Sequence, residues 1–191
     1  QLEIKDRYPD CQRLNQLVKF LEADAQEEKK VICRIIVNGM LFNEDDEKKF
    51  GATNLDEVEK IQIEIEDTHK LVLETVMSLN QGFDAIKEKC VIVADLVREN
   101  PSGQAQVEFS SIMGETHYLM EALGAIKPRV KPDVETLSSW FQAEAKSKEM
   151  IAELLLAFEA HDFVLVSDVL EYEMYNLMGA WKEVLGLCEF D

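Results

Sequence analysis

From Val72 onward, apolar residues recur at alternating gaps of four and three: Val72, Val76, Leu79, Phe83, Ile86, Cys90, Val93 and Val97. A mean spacing of 3.5 keeps every member on one stripe of an α-helix, whereas residues along a strand alternate between its two faces. A helix with such a stripe has to bury it. The pattern predicts one helix that starts near Asp67 or Thr68, stops before Pro101 and is roughly 50 Å long at 1.5 Å per residue. Gly82 falls inside it, where glycine weakens a helix by about 1 kcal/mol relative to alanine.

Asn100-Pro101-Ser102-Gly103 is turn chemistry, and the seam then resumes through Ala105, Phe109, Ile112, Thr116, Leu119, Leu123 and Ile126. Pro128 and Pro132 interrupt it. A third helix opens at Pro132-Asp133 and carries Leu137, Trp140, Phe141, Ile151, Leu154, Leu155 and Phe158. Its centre, residues 143–149, is small and polar, so that stretch is expected to be lightly covered. Ala160-His161-Asp162 reads as the next corner, with Asp162 as N-cap. The last seam is Phe163, Val166, Leu170, Met174, Leu177, Trp181, Val184 and Cys188. Four amphipathic helices with short connections close most simply as an antiparallel four-helix bundle over residues 67–191. The seam is long enough that a homodimer formed through it is the alternative to closure within one chain.

Residues 1–66 follow a different period. Pro9 and Asp10 suit a helix start, and Cys11, Leu14, Leu17, Val18 and Leu21 form its stripe. Residues 31–37, Val-Ile-Cys-Arg-Ile-Ile-Val, are dense in β-branched side chains. Asn38-Gly39 follows, the pair that best accepts the two positive φ angles of a type I′ turn, and Met40-Leu41-Phe42 resumes the apolar run as a hairpin. After a polar excursion at 43–49 and a short helical turn at 56–59, Ile61, Ile63 and Ile65 alternate with Gln62, Glu64 and Glu66. That alternation describes a strand with one buried face. The fold class expected is therefore α+β and predominantly helical: a small helix plus a three-stranded β unit, then the bundle.

Charge narrows the partners. The chain has 38 acidic against 20 basic residues, a formal net charge of −18. Nucleic acid and anionic membrane surfaces would be repelled. The densest basic stretch, Lys127, Arg129 and Lys131, reads as a solvated loop. No apolar run approaches the ~20 residues that span a bilayer, and no export signal is recognisable. Cys11, Cys33, Cys90 and Cys188 are far apart in sequence and flanked by apolar residues, which suggests reduced core thiols and a cytoplasmic protein.

Chemistry-bearing constellations are few. A dinuclear metal bundle needs two Glu-x-x-His motifs and two further glutamates, and only the segment Glu66 to His69 fits. Glu115, His117 and Tyr118 form a mixed polar group, and Ser110, Ser111 and Ser167 lack a His with a carboxylate orienter. No phosphate-cradling or dinucleotide fingerprint occurs, so no catalytic, cofactor or metal residue is assigned. The candidate interaction cluster is Asp168, Glu171, Tyr172 and Tyr175, which helical gaps of three and four bring together. It offers a polar surface for a basic partner or a cation. Met113, Met120, Met150, Met174 and Met178 suit either an adaptable groove or plain core filling.

Two segments carry a family resemblance: residues 31–42 with Val-Asn-Gly at the turn, and residues 162–181 with Ser-Asp-Val-Leu-Glu-Tyr-Glu. They resemble segments of uncharacterised acidic bacterial proteins, a likeness that implies no activity and transfers no functional residue. The function expected from the residues is a non-enzymatic interaction module, of adaptor, assembly-factor or chaperone type, that meets a protein partner through an acidic helical surface. The alternative is a bundle that binds a small molecule or a metal, including an enzyme with carboxylate ligands.

Overall fold

The computed structural model describes residues 7–42, 51–101, 103–131 and 134–190. They fall into two compact units, Gln1–Leu71 and Val72–Asp191.

The first unit holds helix α1 (Leu14–Glu27) and an antiparallel sheet of β1 (Lys30–Val37), β2 (Met40–Phe42) and β3 (Ile61–Asp67), in the order β2-β1-β3. The helix starts four residues later than Pro9-Asp10 suggests. The N–H groups of Leu14 and Asn15 donate to the carbonyls of Thr53 and Gly51, and the Gln16 side chain accepts from the N–H of Gln12 and of Arg13. Those bonds satisfy the first turn and leave Arg13, the residue before the helix, extended at φ −124° and ψ 149°. Asn38 and Gly39 both take positive φ, 49° and 83°, as the type I′ turn requires. The Asn38 carboxamide oxygen then accepts from the N–H of Glu59 and of Lys60, tying the turn to the start of β3.

The β1 sequence does not alternate, and the structure shows how it still builds one apolar face. A register shift between Ile32 and Arg34 leaves Cys33 as the extra residue of a bulge. Ile32 then pairs with Ile65, Ile35 with Ile63 and Val37 with Ile61. Cys33 is exposed, so it is not the core thiol expected from its neighbours. Ile65 is also exposed, which ends the expected alternation one pair early. The helical turn expected at 56–59 is a 3-10 turn at Leu55–Glu57, while the polar excursion at 43–49 lies outside the described residues.

The second unit is built from α2 (Thr68–Glu99), α3 (Gln104–Ile126), α4 (Val134–Glu159) and a last rod. That rod runs without a break through α5 (Phe163–Asp168), a π-helical segment (Val169–Met174) and α6 (Tyr175–Leu187). Contacts fix the directions. Gly82 faces Leu119 while Lys89 pairs with Glu115; Phe109 stacks on Phe158 while Lys127 pairs with Glu144. Phe158 meets Phe163 while Trp140 meets Trp181, and Asp84 pairs with Lys182 while Arg98 pairs with Glu171. Numbers rise along one helix as they fall along its neighbour, so each rod is antiparallel to the next and the fourth returns to the first.

The α2 seam is buried as its spacing demands, with Val76 half-buried, and every residue of the α3 seam is buried. Gly82 has a packing reason: a Cβ there would lie 2.5 Å from Leu119 Cδ2. In α4 the expected stripe is corrected. Leu137, Phe141 and Leu155 are exposed, and the buried set is Thr136, Trp140, Ala143, Ser147, Met150, Leu154 and Ala157. This is the same four–three seam, carried through the centre by two small residues instead of interrupted there. Small side chains let the Trp181 indole approach, and it donates to Ser147 Oγ.

The corner falls where expected. His161 takes φ 59° and Asp162 caps the next helix, its side chain accepting from Leu165 N–H at 3.1 Å. Lys127, Arg129 and Lys131 are not a plain solvated loop: Lys127–Arg129 is a 3-10 turn, and Val130–Lys131 pairs antiparallel with Glu189–Phe190. Cys90 is buried in the core and its thiol is pushed up to about 12 by desolvation. Met150, Met174 and Met178 are core residues, with Met113 and Met120 partly buried against them, which is the filling role of methionine. Among the described residues no helix is long and apolar enough to cross a membrane.

Candidate functional site

The last seam contains one irregular step. Val166, Leu170 and Met174 are separated by four and four, where the α2, α3 and α4 seams alternate four with three throughout. At 3.6 residues per turn, eight residues overshoot two turns by about 80°. A straight α-helix would carry Met174 off the buried stripe. The π-helical segment winds more loosely and takes up the extra residue, so Val166, Leu170 and Met174 are all buried.

The sequence-selected cluster lies on this segment and its flanks. The structure brings two of its members together: Arg98 of α2 donates to Glu171 Oε2 at 2.8 Å and stands 3.9 Å from Asp168 Oδ1. Asp95 adds a third carboxylate at 3.2 Å from the same guanidinium. The hydrogen bond that Arg98 donates to Glu171 raises the Arg98 pKa. Tyr175 is engaged elsewhere, with Lys87 Nζ 4.5 Å from its ring centroid. Tyr172 is 60% exposed. The acids are thus matched within the chain by Arg98, a residue that sequence spacing along one helix could not reveal.

Glu115, His117 and Tyr118 do not form a unit. Glu115 receives Lys89 and the Ser111 hydroxyl, the lysine bond being the main cause of its lowered pKa. His117 pairs with Glu121 on an exposed face, and Tyr118 is exposed. Ser167 donates to backbone carbonyls of Ala94 and Phe163. Among the described residues, no three or more His, Cys, Asp or Glu side chains gather as a metal-binding group.

A second surface was not selected from sequence. Between α4 and α5 an open groove is lined by the apolar Ala152, Leu156, Ala157, Ala160 and Leu165 and by the acids Glu149, Glu153 and Asp162. No lysine or arginine lines it. Leu156 is 67% exposed. Its signal in the sequence is Ala152, Leu156 and Ala160, three apolar residues four apart. They stand out as a second, outward stripe only once the true α4 seam has been assigned.

A family model described as a domain of unknown function, DUF8042, matches residues 74–184, more than half of the chain. The chain belongs to the DUF8042 family. The DUF8042 stretch takes in most of the four rods, including the π-helical segment, Arg98 and the groove. No curated protein and no solved structure matches the chain.

Proposed function

We propose that the helical unit is a non-enzymatic interaction module whose groove between α4 and α5 receives a basic, amphipathic helix of a partner protein. The observation that carries this reading is a mainly apolar lining whose charged members are all acids. The exposed alanines at 152 and 160 allow a partner backbone to approach closely, and Leu156 and Leu165 offer apolar area to an i, i+3, i+4 stripe. Glu149, Glu153 and Asp162 supply charge that selects lysine and arginine beside that stripe. A second copy of the chain is a poorer occupant, because two chains of net charge −18 repel and would set acidic lining against acidic lining. Four unpaired cysteines suit a reducing compartment, and we place the protein in the cytoplasm.

The test uses a labelled helical peptide with leucines on one stripe and lysines beside it, a twin with glutamates in place of the lysines, and a lysine-matched scramble. The full chain is expected to bind the first alone. Leu156→Asp and Leu165→Asp should each weaken binding about tenfold or more, since burying a leucine contributes roughly 1.5–3 kcal/mol. Both variants add negative charge, so diffuse attraction of a cationic peptide would strengthen instead. Equal or tighter binding by both variants would overturn the reading, as would a homodimer that Leu156→Asp dissolves.

A further inference from the structure

A separate cavity lies in the same helical unit and shares no lining residue with the groove. It has a volume of about 130 Å³ and is walled by Met120, Leu123, Trp140, Ile151 and Trp181. The two tryptophans are 3% and 1% exposed and meet edge to face, ring centroids 5.1 Å apart. Cavities near 150 Å³ with apolar walls admit a benzene ring. Ser147 is the polar side chain beside the two indoles, and its one proton is committed: the hydroxyl donates to Ala143 O and accepts from Trp181 Nε1. The interior therefore favours an apolar body.

The mouth has the opposite chemistry. Lys127 Nζ lies 2.5 Å from Glu144 Oε2 and Lys148 Nζ 2.9 Å from Glu144 Oε1. Two ammonium groups share one carboxylate, which leaves a surplus positive charge in a chain of net −18. Each ammonium has three donors, so each keeps hydrogen-bonding capacity for a second acceptor. Lys127 first, then Lys148, holds the Glu144 carboxyl below its usual range, which favours the carboxylate. Gly124 borders the cavity, and a Cβ built there meets nothing within 4 Å.

We propose that this cavity binds a small aromatic carboxylate, its ring against the Trp140–Trp181 pair and the facing Met120, Leu123 and Ile151, and its anionic head on Lys127 and Lys148. The ring is set by the volume and the indole walls, and the head by the surplus cation at the mouth. This site goes beyond the groove: it uses none of the groove's residues and asks for a ligand of opposite charge.

Trp140 and Trp181 are the only tryptophans of the chain, and both line the cavity, so intrinsic fluorescence reports on it directly. The full chain is titrated with phenylacetate, benzylamine and toluene. Phenylacetate is expected to give a saturable change with a dissociation constant on the order of 1 mM or tighter, and the other two a weaker one by about tenfold. Glu144→Gln, which frees both lysines, should tighten phenylacetate. Gly124→Leu fills the open space with a better helix former, so it should keep or raise the melting temperature while abolishing binding. No saturable response to phenylacetate would overturn the site. Binding of toluene or benzylamine as tight as that of phenylacetate would overturn the carboxylate assignment, and undiminished binding by a folded Gly124→Leu would overturn the location.

Discussion

The indole N–H of Trp181 donates to Ser147 Oγ at 2.9 Å, with both residues buried at 1% and 2% exposure. Ser147→Ala leaves that N–H without its acceptor in the core. A buried donor so stranded costs about 1–3 kcal/mol, well above the helix-propensity gain of alanine. Urea denaturation should show that loss in the wild-type background. The loss should shrink or reverse in a Trp181→Phe background, where no indole donor remains.

Gly82 and Leu119 form a coupled pair of a different kind. In the native background Gly82→Ala places a methyl group against Leu119 Cδ2, and the leucine has to change rotamer within a packed core. In a Leu119→Ala background the obstacle is gone, and Gly82→Ala should recover about 1 kcal/mol of helix propensity. The double-mutant cycle is therefore expected to show a clear coupling, with Gly82→Ala the more favourable in the truncated background. Equal effects in both would contradict the contact.

The π-helical segment makes a prediction about chain length. Deleting Tyr172, an exposed residue inside the four–four step, converts the seam to four–three and removes the reason for the looser winding. The variant should fold with full helical circular dichroism and a melting temperature at or above that of the wild type. Loss of cooperative unfolding would contradict the register account.

Acid should weaken the Glu144 triad. The folded-state pKa of Glu144 lies below the 4.5 of a free glutamate, chiefly through the hydrogen bond from Lys127. A carboxylate depressed in this way contributes stability above its unfolded value and loses it as pH falls through the folded one. The stability gap between wild type and Glu144→Gln should be widest above pH 4.5 and close as pH drops below it. Denaturation midpoints across that range check the sign.

Much of this fold was legible because two periods dominate the sequence. The seams of α2 and α3 and the Asn38-Gly39 turn appear where the spacing puts them. The α4 stripe was misread because Ala143 and Ser147 are small, and apolarity alone hides a seam that small residues continue. Cys33 misled for another reason: a bulge is set by pairing with β3, which β1 does not encode by itself. In the acidic cluster, Asp168 and Glu171 were legible as neighbours, but their match in Arg98 is far away in sequence and depends on the bundle having closed. The groove needed both the corrected α4 face and the placement of Leu165 beside it.

The groove is tested most directly by hydrogen-exchange mass spectrometry of the full chain with and without the lysine-flanked amphipathic peptide. The account predicts slower exchange confined to the backbone between Glu149 and Leu165, absent with the glutamate twin. Protection elsewhere on the chain, or none at saturating peptide, would contradict it.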